Sequence, residues 1–297
     1  MPAASTEQLA LRFYDVTSAD GTRIKAWTND AEGPTLLLCN GLGTNPYAWP
    51  ALLRPDCGVR VISWFHRGVG GSDRPRDRSR VGIDAFLEDA LAVMDHAGVE
   101  ACAVAGWSIG VNTAFELAVL HPSRVTGLFA VAGVPGGTFA SMGAPLLIPR
   151  IARRPISVGV TRILRRAGKA ITPFSSRLPV GVAFAQLLSH SGFMMPTAEI
   201  PALRRAIKEF LTTPVDWYMH LALAAAEHPR VSLRHVKVPT AFVGGRFDLL
   251  ASSEDMATAS ERIAGATYVE LPGSHFLQLE HPDPVHDELL TLLRRIA

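Results

Sequence analysis

The stretch Val104–Asn112 carries the strongest signal for chemistry in this chain. Ser108 stands between two glycines, in Gly106-x-Ser108-x-Gly110, where an apolar run ends and a helix-like segment begins at once. A sharp turn from a strand into a helix lifts a serine oxygen above the end of a sheet. Glycines let the two backbones pass close to that oxygen, and the free amides at the helix start favour negative charge beside it. We interpret Ser108 as a nucleophile, although a plain Gly/Ser turn would contain the same residues.

A serine hydroxyl is a poor nucleophile unless a base takes its proton and an acid orients that base. Where the serine lies on such a turn, the acid and then the histidine follow it along the chain, each in a loop after a strand. Asp248 follows the apolar run that ends at Val243, and His275 follows the run that ends at Leu271. The sequence therefore predicts Ser108, Asp248 and His275 as a catalytic triad.

Other residues compete for two of these roles. Glu254 and Asp255 are alternative acids, and His281 and His286 are alternative bases. The two acids are expected to begin a helix, and the two histidines flank the predicted final helix. Both pairs are therefore less suited to the roles than residues in the loops after the strands.

Acyl transfer also needs hydrogen-bond donors for the negatively charged oxygen of its tetrahedral intermediate. The backbone amide of Ile109, directly after the serine, is one expected donor. The amide of Leu42, in the glycine-containing loop Asn40–Gly43, is the other. We therefore predict an oxyanion hole formed by the backbone amides of Leu42 and Ile109.

The elements that must position these residues alternate along the chain. Asp20-Gly21 is a hairpin signal that joins two strands over residues 11–28. Further strands are predicted at 35–39, 59–64, 101–105, 125–131, 240–244 and 267–271, and helices at 46–53, 83–96, 108–120, 253–263 and 284–296. This alternation is typical of an α/β fold with a doubly wound, mostly parallel sheet.

Between Gly133 and about Arg230 the alternation stops, and helical apolar segments and prolines occur without convincing strands. We interpret this insertion as a helical cap or lid. The predicted division is a first core part (1–133), a cap segment (134–230) and a second core part (231–297).

Apolar side chains in the cap segment favour a hydrophobic acyl group, although core packing would use the same residue types. They are Phe139, Met142, Leu146, Leu147, Phe193, Met194 and Met195. Trp107, Trp217 and Met194 are predicted to line the substrate pocket itself.

The stretch between Glu116 and Glu199, which includes most of the cap segment, is strongly basic. No Asp or Glu lies between Glu116 and Glu199, whereas nine basic residues do. They are Arg124, Arg150, Arg153, Arg154, Arg162, Arg165, Arg166, Lys169 and Arg177. On a helix, Ile156, Val160, Ile163, Leu164, Ala167 and Ile171 share one face, opposite Arg162, Arg165, Arg166 and Lys169. Either a surface helix with a solvated face or a basic amphipathic helix on an anionic lipid surface or a granule has this pattern.

Composition excludes several classes of protein. At 297 residues, with 48% hydrophobic and 19% charged residues, the chain is typical of a globular protein and has no run long enough to span a membrane. A net charge of +2 argues against nucleic acid as the main partner. Cys39, Cys57 and Cys102 lack metal-ligand spacing and are expected to be buried, reduced thiols. Met1–Glu7 has no signal-peptide features, so we expect a cytoplasmic protein, with no metal site.

Together these motifs resemble those of the α/β-hydrolase superfamily of serine esterases and lipases. Four motifs agree in order: Asn40–Gly43, Arg67–Ser72, Gly106–Gly110, and Gly273–His275 with Glu280–Pro282. The resemblance implies a serine hydrolase without a cofactor, cleaving a carboxylic ester through an acyl-enzyme intermediate. Epoxide hydrolases and haloalkane dehalogenases of this fold use an aspartate nucleophile, and Ser108 argues against both.

Two positions depart from the superfamily pattern. Asn40 stands where His is usual, and Phe65 stands where Asp is frequent. The change at Asn40 bears on substrate preference more than on catalysis, because the oxyanion donor in that loop is a backbone amide. An Asn-Gly-x-Gly loop is also similar to that of intracellular polyhydroxyalkanoate depolymerases.

Other functions could use the same residues, because fold and nucleophile do not determine the acceptor or the bond that breaks. An acyltransferase, a carbon–carbon bond hydrolase or a perhydrolase would need the same triad. A polyhydroxyalkanoate depolymerase or a lipase at a lipid surface would also explain the basic cap segment. The alternative from a different class is a non-catalytic, ligand-binding member of the fold.

Overall fold

The computed structural model describes residues 9–229 and 231–297. Met1–Glu7, where the sequence predicts no signal peptide, lies outside the described residues, and so does Arg230 at the predicted end of the cap segment. Among the helices of the described ranges, none combines the length and the apolar character that a membrane span requires.

Eight strands of the described chain form one sheet. They are β1 (Arg12–Thr17), β2 (Arg23–Thr28), β3 (Thr35–Cys39), β4 (Arg60–Trp64), β5 (Cys102–Trp107), β6 (Val125–Val131), β7 (Thr240–Gly245) and β8 (Thr267–Leu271). Their order in the sheet is β1-β2-β4-β3-β5-β6-β7-β8. Strand β2 pairs antiparallel with β1 and β4, and all other neighbouring pairs are parallel. The predicted fold class, an α/β fold with a mostly parallel sheet, is confirmed.

Ten helices accompany the sheet within those residues. They are α1 (Ile83–His96), α2 (Gly110–Leu120), α3 (Thr138–Ser141), α4 (Arg150–Ser175), α5 (Val182–Ser189), α6 (Ile200–Phe210), α7 (Val215–Ala226), α8 (Ser253–Glu261), α9 (Leu277–Glu280) and α10 (Pro282–Ile296). Successive residues of a strand point to opposite faces of the sheet. Leu37 and Val104 accordingly pack with α1, α2 and α8, whereas Leu36 and Ala103 pack with α10 on the other face.

The sequence places all but one of the predicted elements outside the cap segment within two residues of their observed ends. The exception is the helix predicted over 46–53, which is not one continuous helix but two short 3₁₀ helices. Two short 3₁₀ turns, Pro46–Ala48 and Pro50–Leu53, occupy this stretch. Pro50 has no amide hydrogen and disfavours helical backbone at Trp49, which has φ −123° and ψ 65°.

The motif Arg67–Ser72 has a structural role in this fold. The fully buried guanidinium of Arg67 pairs with Asp89 at 2.7 Å, and with Asp20 at 2.5 Å. Phe65, where the sequence departs from the superfamily pattern, is buried against Gly70. The three cysteines are buried and unpaired, as predicted.

Helices α3 to α7 lie between β6 and β7 along the chain, and the described residues of the cap segment contain no strand. The longest of them, α4, packs against α7. A Cβ on Gly168 would lie 2.3 Å from the backbone nitrogen of Asp216, so the two helices approach closely there. Thr161 and Gly168 are the buried residues of α4, whereas Ile156 and Ile163 are exposed. The apolar face that the sequence shows on this helix is therefore not the face that it buries.

Candidate active site

Ser108 lies on a tight turn between β5 and α2. Its φ is +57°, in the left-handed region that residues with a side chain rarely adopt. Both flanking glycines are required by close backbone approach. A Cβ on Gly110 would lie 1.9 Å from the carbonyl oxygen of Cys39, and one on Gly106 would lie 2.6 Å from Cα of Val111. The fold therefore holds the serine in a strained backbone conformation at the cavity wall, as a nucleophile requires.

The structure brings Ser108, His275 and Asp248 together in one hydrogen-bonded chain, the candidate triad. Nε2 of His275 lies 2.8 Å from Oγ of Ser108, and Nδ1 lies 2.9 Å from Oδ2 of Asp248. Oδ1 of Asp248 also accepts hydrogen bonds from the amides of Leu250 and Ala251, at 2.7 and 2.8 Å. Asp248 and His275 are buried, so neither is free to turn away into solvent. This arrangement can pass the serine proton to the imidazole and stabilise the imidazolium that results.

The competing acids and bases lie elsewhere. Glu254 and Asp255 are in the first turn of α8, as expected from the sequence. His281 precedes α10 and His286 lies within it, where its Nε2 is 2.9 Å from a backbone carbonyl oxygen. Within the described residues, none of the four hydrogen-bonds to a member of the candidate triad.

Glu280 holds the loop that carries His275. Its carboxylate accepts hydrogen bonds from the amide and hydroxyl of Ser274, at 2.7 and 2.5 Å. It also accepts one from the amide of Met195 at 2.8 Å, which ties the histidine loop to the cap segment. The indole of Trp107 donates to the carbonyl oxygen of His275 at 3.0 Å. The sequence contained Glu280 in a recognised motif but gave it no role.

The two predicted oxyanion donors lie at the same cavity as the serine. Leu42 and Ile109 both line it, together with Ser108 and His275. Within the described residues, neither amide donates a hydrogen bond to another part of the chain. Both are therefore free to bind a substrate oxygen.

Asn40 fixes the conformation of the loop that carries Leu42. Its Oδ1 accepts hydrogen bonds from the amide of Gly41 and from the indole of Trp49, both at 3.0 Å. Its Nδ2 donates to the carbonyl oxygen of Asn45 at 3.3 Å. Asn40 is buried, so it organises the loop from behind rather than through contact with substrate.

Replacing Asn40 with leucine should lower kcat about 10- to 100-fold, because a small shift of the Leu42 amide weakens a contact made in the transition state. KM should change little, since the oxyanion does not exist in the ground state. Steady-state kinetics on a p-nitrophenyl ester, with circular dichroism to establish folding, measures both. An unchanged kcat in a folded variant would show that Asn40 does not position this loop.

A cavity of about 710 Å³ opens in front of the candidate triad. Two of the three predicted pocket residues, Trp107 and Met194, line it. Of the apolar cap residues named from the sequence, Phe139, Met142, Leu146, Phe193 and Met194 line it, whereas Leu147 and Met195 do not. Among the described residues no Asp, Glu, Lys or Arg contributes to its wall. The cavity is therefore suited to an uncharged, apolar group.

The prediction that Trp217 lines the pocket is wrong. Its indole is fully buried away from the cavity and donates to the carbonyl oxygen of Arg67 at 2.8 Å. The next residue, Tyr218, lines the cavity instead, and burial raises the pKa of Tyr218 to about 12. Successive side chains of a helix point about 100° apart. The rotation of α7 about its own axis therefore determines whether Trp217 or Tyr218 faces the cavity. Nothing in the sequence indicates this rotation.

The fold and the site together define a class of α/β protein with a serine on a strand–turn–helix elbow. A family model described as "alpha/beta hydrolase fold" matches residues 34–282. The chain belongs to the α/β-hydrolase family.

Known relatives extend over nearly the whole chain. It is 24% identical to 3-oxoadipate enol-lactonase 2 of Acinetobacter baylyi, over 95% of this chain and 97% of that protein. It is also 24% identical to epoxide hydrolase A of Mycobacterium tuberculosis, over 94% and 96%. The crystal structure of an enol-lactonase from Burkholderia xenovorans superposes with a TM-score of 0.71 at 21% identity, over 95% of this chain and all 100% of that one. These relatives support hydrolase activity for this chain but not one particular substrate.

Proposed function

We propose that this protein is a serine hydrolase that cleaves a carboxylic ester with a hydrophobic acyl group. The observation that carries the proposal is the hydrogen-bonded chain of Ser108, His275 and Asp248 at the wall of an apolar cavity. A relative named as an epoxide hydrolase gives no support for that reaction here, because an epoxide hydrolase of this fold uses a carboxylate where this chain has Ser108.

Acylation begins when Oγ of Ser108 attacks the ester carbonyl carbon while Nε2 of His275 takes the hydroxyl proton. The carbonyl oxygen becomes an oxyanion, which the amides of Leu42 and Ile109 stabilise. Asp248 keeps the proton of His275 on Nδ1 and stabilises the imidazolium. The intermediate then collapses, the bond to the alkoxide breaks, and the imidazolium protonates the leaving group.

Deacylation repeats these steps with water as the nucleophile. His275 takes a proton from water, and the resulting hydroxide attacks the acyl carbon bound to Ser108. Collapse of the second intermediate returns the proton to Oγ and releases the carboxylic acid. Together the two halves convert the ester and one water molecule into an alcohol and a carboxylic acid.

The cavity wall supports a neutral, apolar acyl group as substrate. A carboxylate on the substrate would need a cationic partner, and none lines the described wall. Its volume of about 710 Å³ can enclose most of a drug-sized or fatty-acyl ligand. Burial of each additional methylene stabilises the bound substrate by about 0.8 kcal/mol.

A chain-length series of p-nitrophenyl esters tests the proposal. We expect kcat/KM to rise from acetate to octanoate by up to about fourfold per methylene, the factor that 0.8 kcal/mol corresponds to. Each ester is kept below the concentration at which it aggregates, so that the cavity alone is measured. The Ser108→Ala variant, prepared in parallel, gives the background hydrolysis rate.

Two results of this series would contradict the proposal. Hydrolysis of acetate at least as fast as that of octanoate would contradict a hydrophobic acyl preference. Hydrolysis of no ester in the series by the folded protein would contradict the ester-hydrolase proposal itself.

A further inference from the structure

The cap segment presents a concentration of exposed apolar side chains. We call this set the cap apolar face: Leu146, Leu147, Ile151, Ile156, Val160, Ile163, Phe174, Leu178, Val182, Leu187 and Phe193. Leu147 and Ile151 are each 89% exposed, Phe174 is 78% exposed and Leu187 is 72% exposed. The described remainder of the chain has few exposed side chains of this size. So much apolar surface in one segment indicates a contact with something other than water.

Part of the cap apolar face lies at the cavity. Five of its members are at once exposed to solvent and part of the cavity wall: Leu146, Ile156, Val160, Leu178 and Phe193. The cavity therefore reaches the surface among these side chains. A molecule seated on the face would lie directly in front of the route to Ser108.

Positive charge lies beside the same face. On α4, Arg162 and Arg166 lie about 60° to 100° around the helix from Ile163, and their side chains are exposed. Lys169 and Arg165 are also exposed and lie further round the helix, about 120° and 160° from Ile163. Arg150 pairs with Asp255 at 3.0 Å, whereas no described carboxylate forms an ion pair with the four cations of α4. Since residues 117–198 contain no Asp or Glu, no acid within this stretch compensates for them.

These charges decide which occupant fits the face. A second copy of the chain, joined symmetrically through the same face, would bring two basic segments together. An uncharged, apolar partner surface would explain the exposed apolar side chains but not the four basic residues of α4. Anionic phospholipid headgroups above an acyl layer satisfy both features, because long basic side chains reach phosphates while apolar neighbours enter the layer.

We propose that the cap apolar face, with Arg162, Arg165, Arg166 and Lys169 beside it, binds the surface of an anionic bilayer. The cavity entrance then opens toward the acyl chains, and a hydrophobic ester dissolved in the bilayer enters without crossing water. The identity of the ester depends on the proposed function, whereas the binding itself does not.

Binding is measured with the full chain carrying Ser108→Ala, so that no turnover occurs. Sucrose-loaded vesicles of phosphatidylcholine with 30% phosphatidylserine are sedimented with the protein, beside vesicles of phosphatidylcholine alone. We expect binding to the anionic vesicles, at least tenfold weaker binding to the neutral ones, and release when salt is raised from about 0.1 to 0.5 M, since screening shortens the reach of each charge.

Two sets of substitutions locate the surface. Replacing Arg162, Arg165, Arg166 and Lys169 with glutamine should weaken binding by about fivefold per charge, from the contribution of one basic residue at an anionic membrane. The matched control replaces Arg234, Lys237, Arg262 and Arg294 with glutamine, exposed residues outside the cap segment. It should weaken binding far less. A third variant, Ile151→Ser with Phe174→Ser and Leu187→Ser, removes apolar side chains that do not line the cavity, and it should also release the protein.

Several results would overturn the proposal. The first is that the protein does not bind anionic vesicles at about 0.1 M salt. The second is that the control substitutions weaken vesicle binding as much as the substitutions on α4. The third is that the protein binds polyester particles but not vesicles. A dimer in solution that the triple serine variant dissociates, without vesicle binding, would assign the face to a second copy instead. Thermal unfolding of every variant shows whether a loss reflects the surface or misfolding. If vesicles bind but no ester is hydrolysed by the wild type, the proposed function fails and this proposal stands.

Discussion

Substitution of Ser108 by alanine is expected to lower kcat for p-nitrophenyl octanoate by about 10⁴- to 10⁶-fold, the loss seen when a hydrolase of this type loses its nucleophile. The hydroxyl is the atom that forms the covalent bond, and the two oxyanion amides and the cavity alone leave only a small residual rate. The fold should be retained or slightly stabilised, because alanine is smaller and the turn remains flanked by its two glycines. Stopped assays with a detection limit below 10⁻⁴ of the wild-type rate are needed to measure it.

Ser157→Ala provides the matched control. Ser157 lies on α4 and also lines the cavity. This substitution removes a serine hydroxyl from the cavity wall without changing the candidate triad. Its kcat should stay within a few-fold of the wild type. Equal losses in the two variants would mean that the assay reports damage to the cavity rather than loss of a nucleophile.

Asp248→Asn should lower kcat by about 10³- to 10⁴-fold with little change in stability. Oδ1 of the side chain accepts two backbone amides, so asparagine is expected to keep its oxygen there and turn its NH₂ group toward His275. Nδ1 of the imidazole must then accept a hydrogen bond, which places the proton on Nε2. An imidazole with its proton on Nε2 cannot take the proton of Ser108.

Asp255→Asn is the corresponding control, because Asp255 is one of the two competing acids in the sequence and, among the described residues, pairs with Arg150 rather than with the candidate triad. That variant should keep nearly full activity. If Asp248→Asn remained within tenfold of the wild type while Asp255→Asn did not, the assignment of the acid would be wrong.

The strands and the candidate triad could be predicted because their signals are local. Thr35–Cys39 and Val125–Val131 are apolar runs bounded by turn residues, and they form strands with those bounds. In a parallel sheet the loops after the strands meet at one edge, so Asp248 and His275 could be placed beside Ser108 without coordinates. The division of the chain into core and cap segments remains a prediction.

The features that the sequence missed depend on contacts between distant elements. The close approach of α7 at Gly168 determines which side of α4 is buried. The spacing of apolar residues within α4 does not indicate this contact. Whether Trp217 or Tyr218 faces the cavity depends on how α7 is rotated against the loop of Arg67. The helix predicted over 46–53 is interrupted for a local reason, because Pro50 disfavours helical backbone at Trp49.

We propose Ser108, activated by His275 and Asp248, as the nucleophile of this protein. Labelling of the native chain with a fluorophosphonate, followed by peptide mass spectrometry, tests it most directly, because only an activated serine reacts at practical rates. We expect one adduct, on the peptide that contains Ser108, and strongly slowed labelling in the Asp248→Asn variant. An adduct on a different serine, or none on the folded wild type, would contradict it.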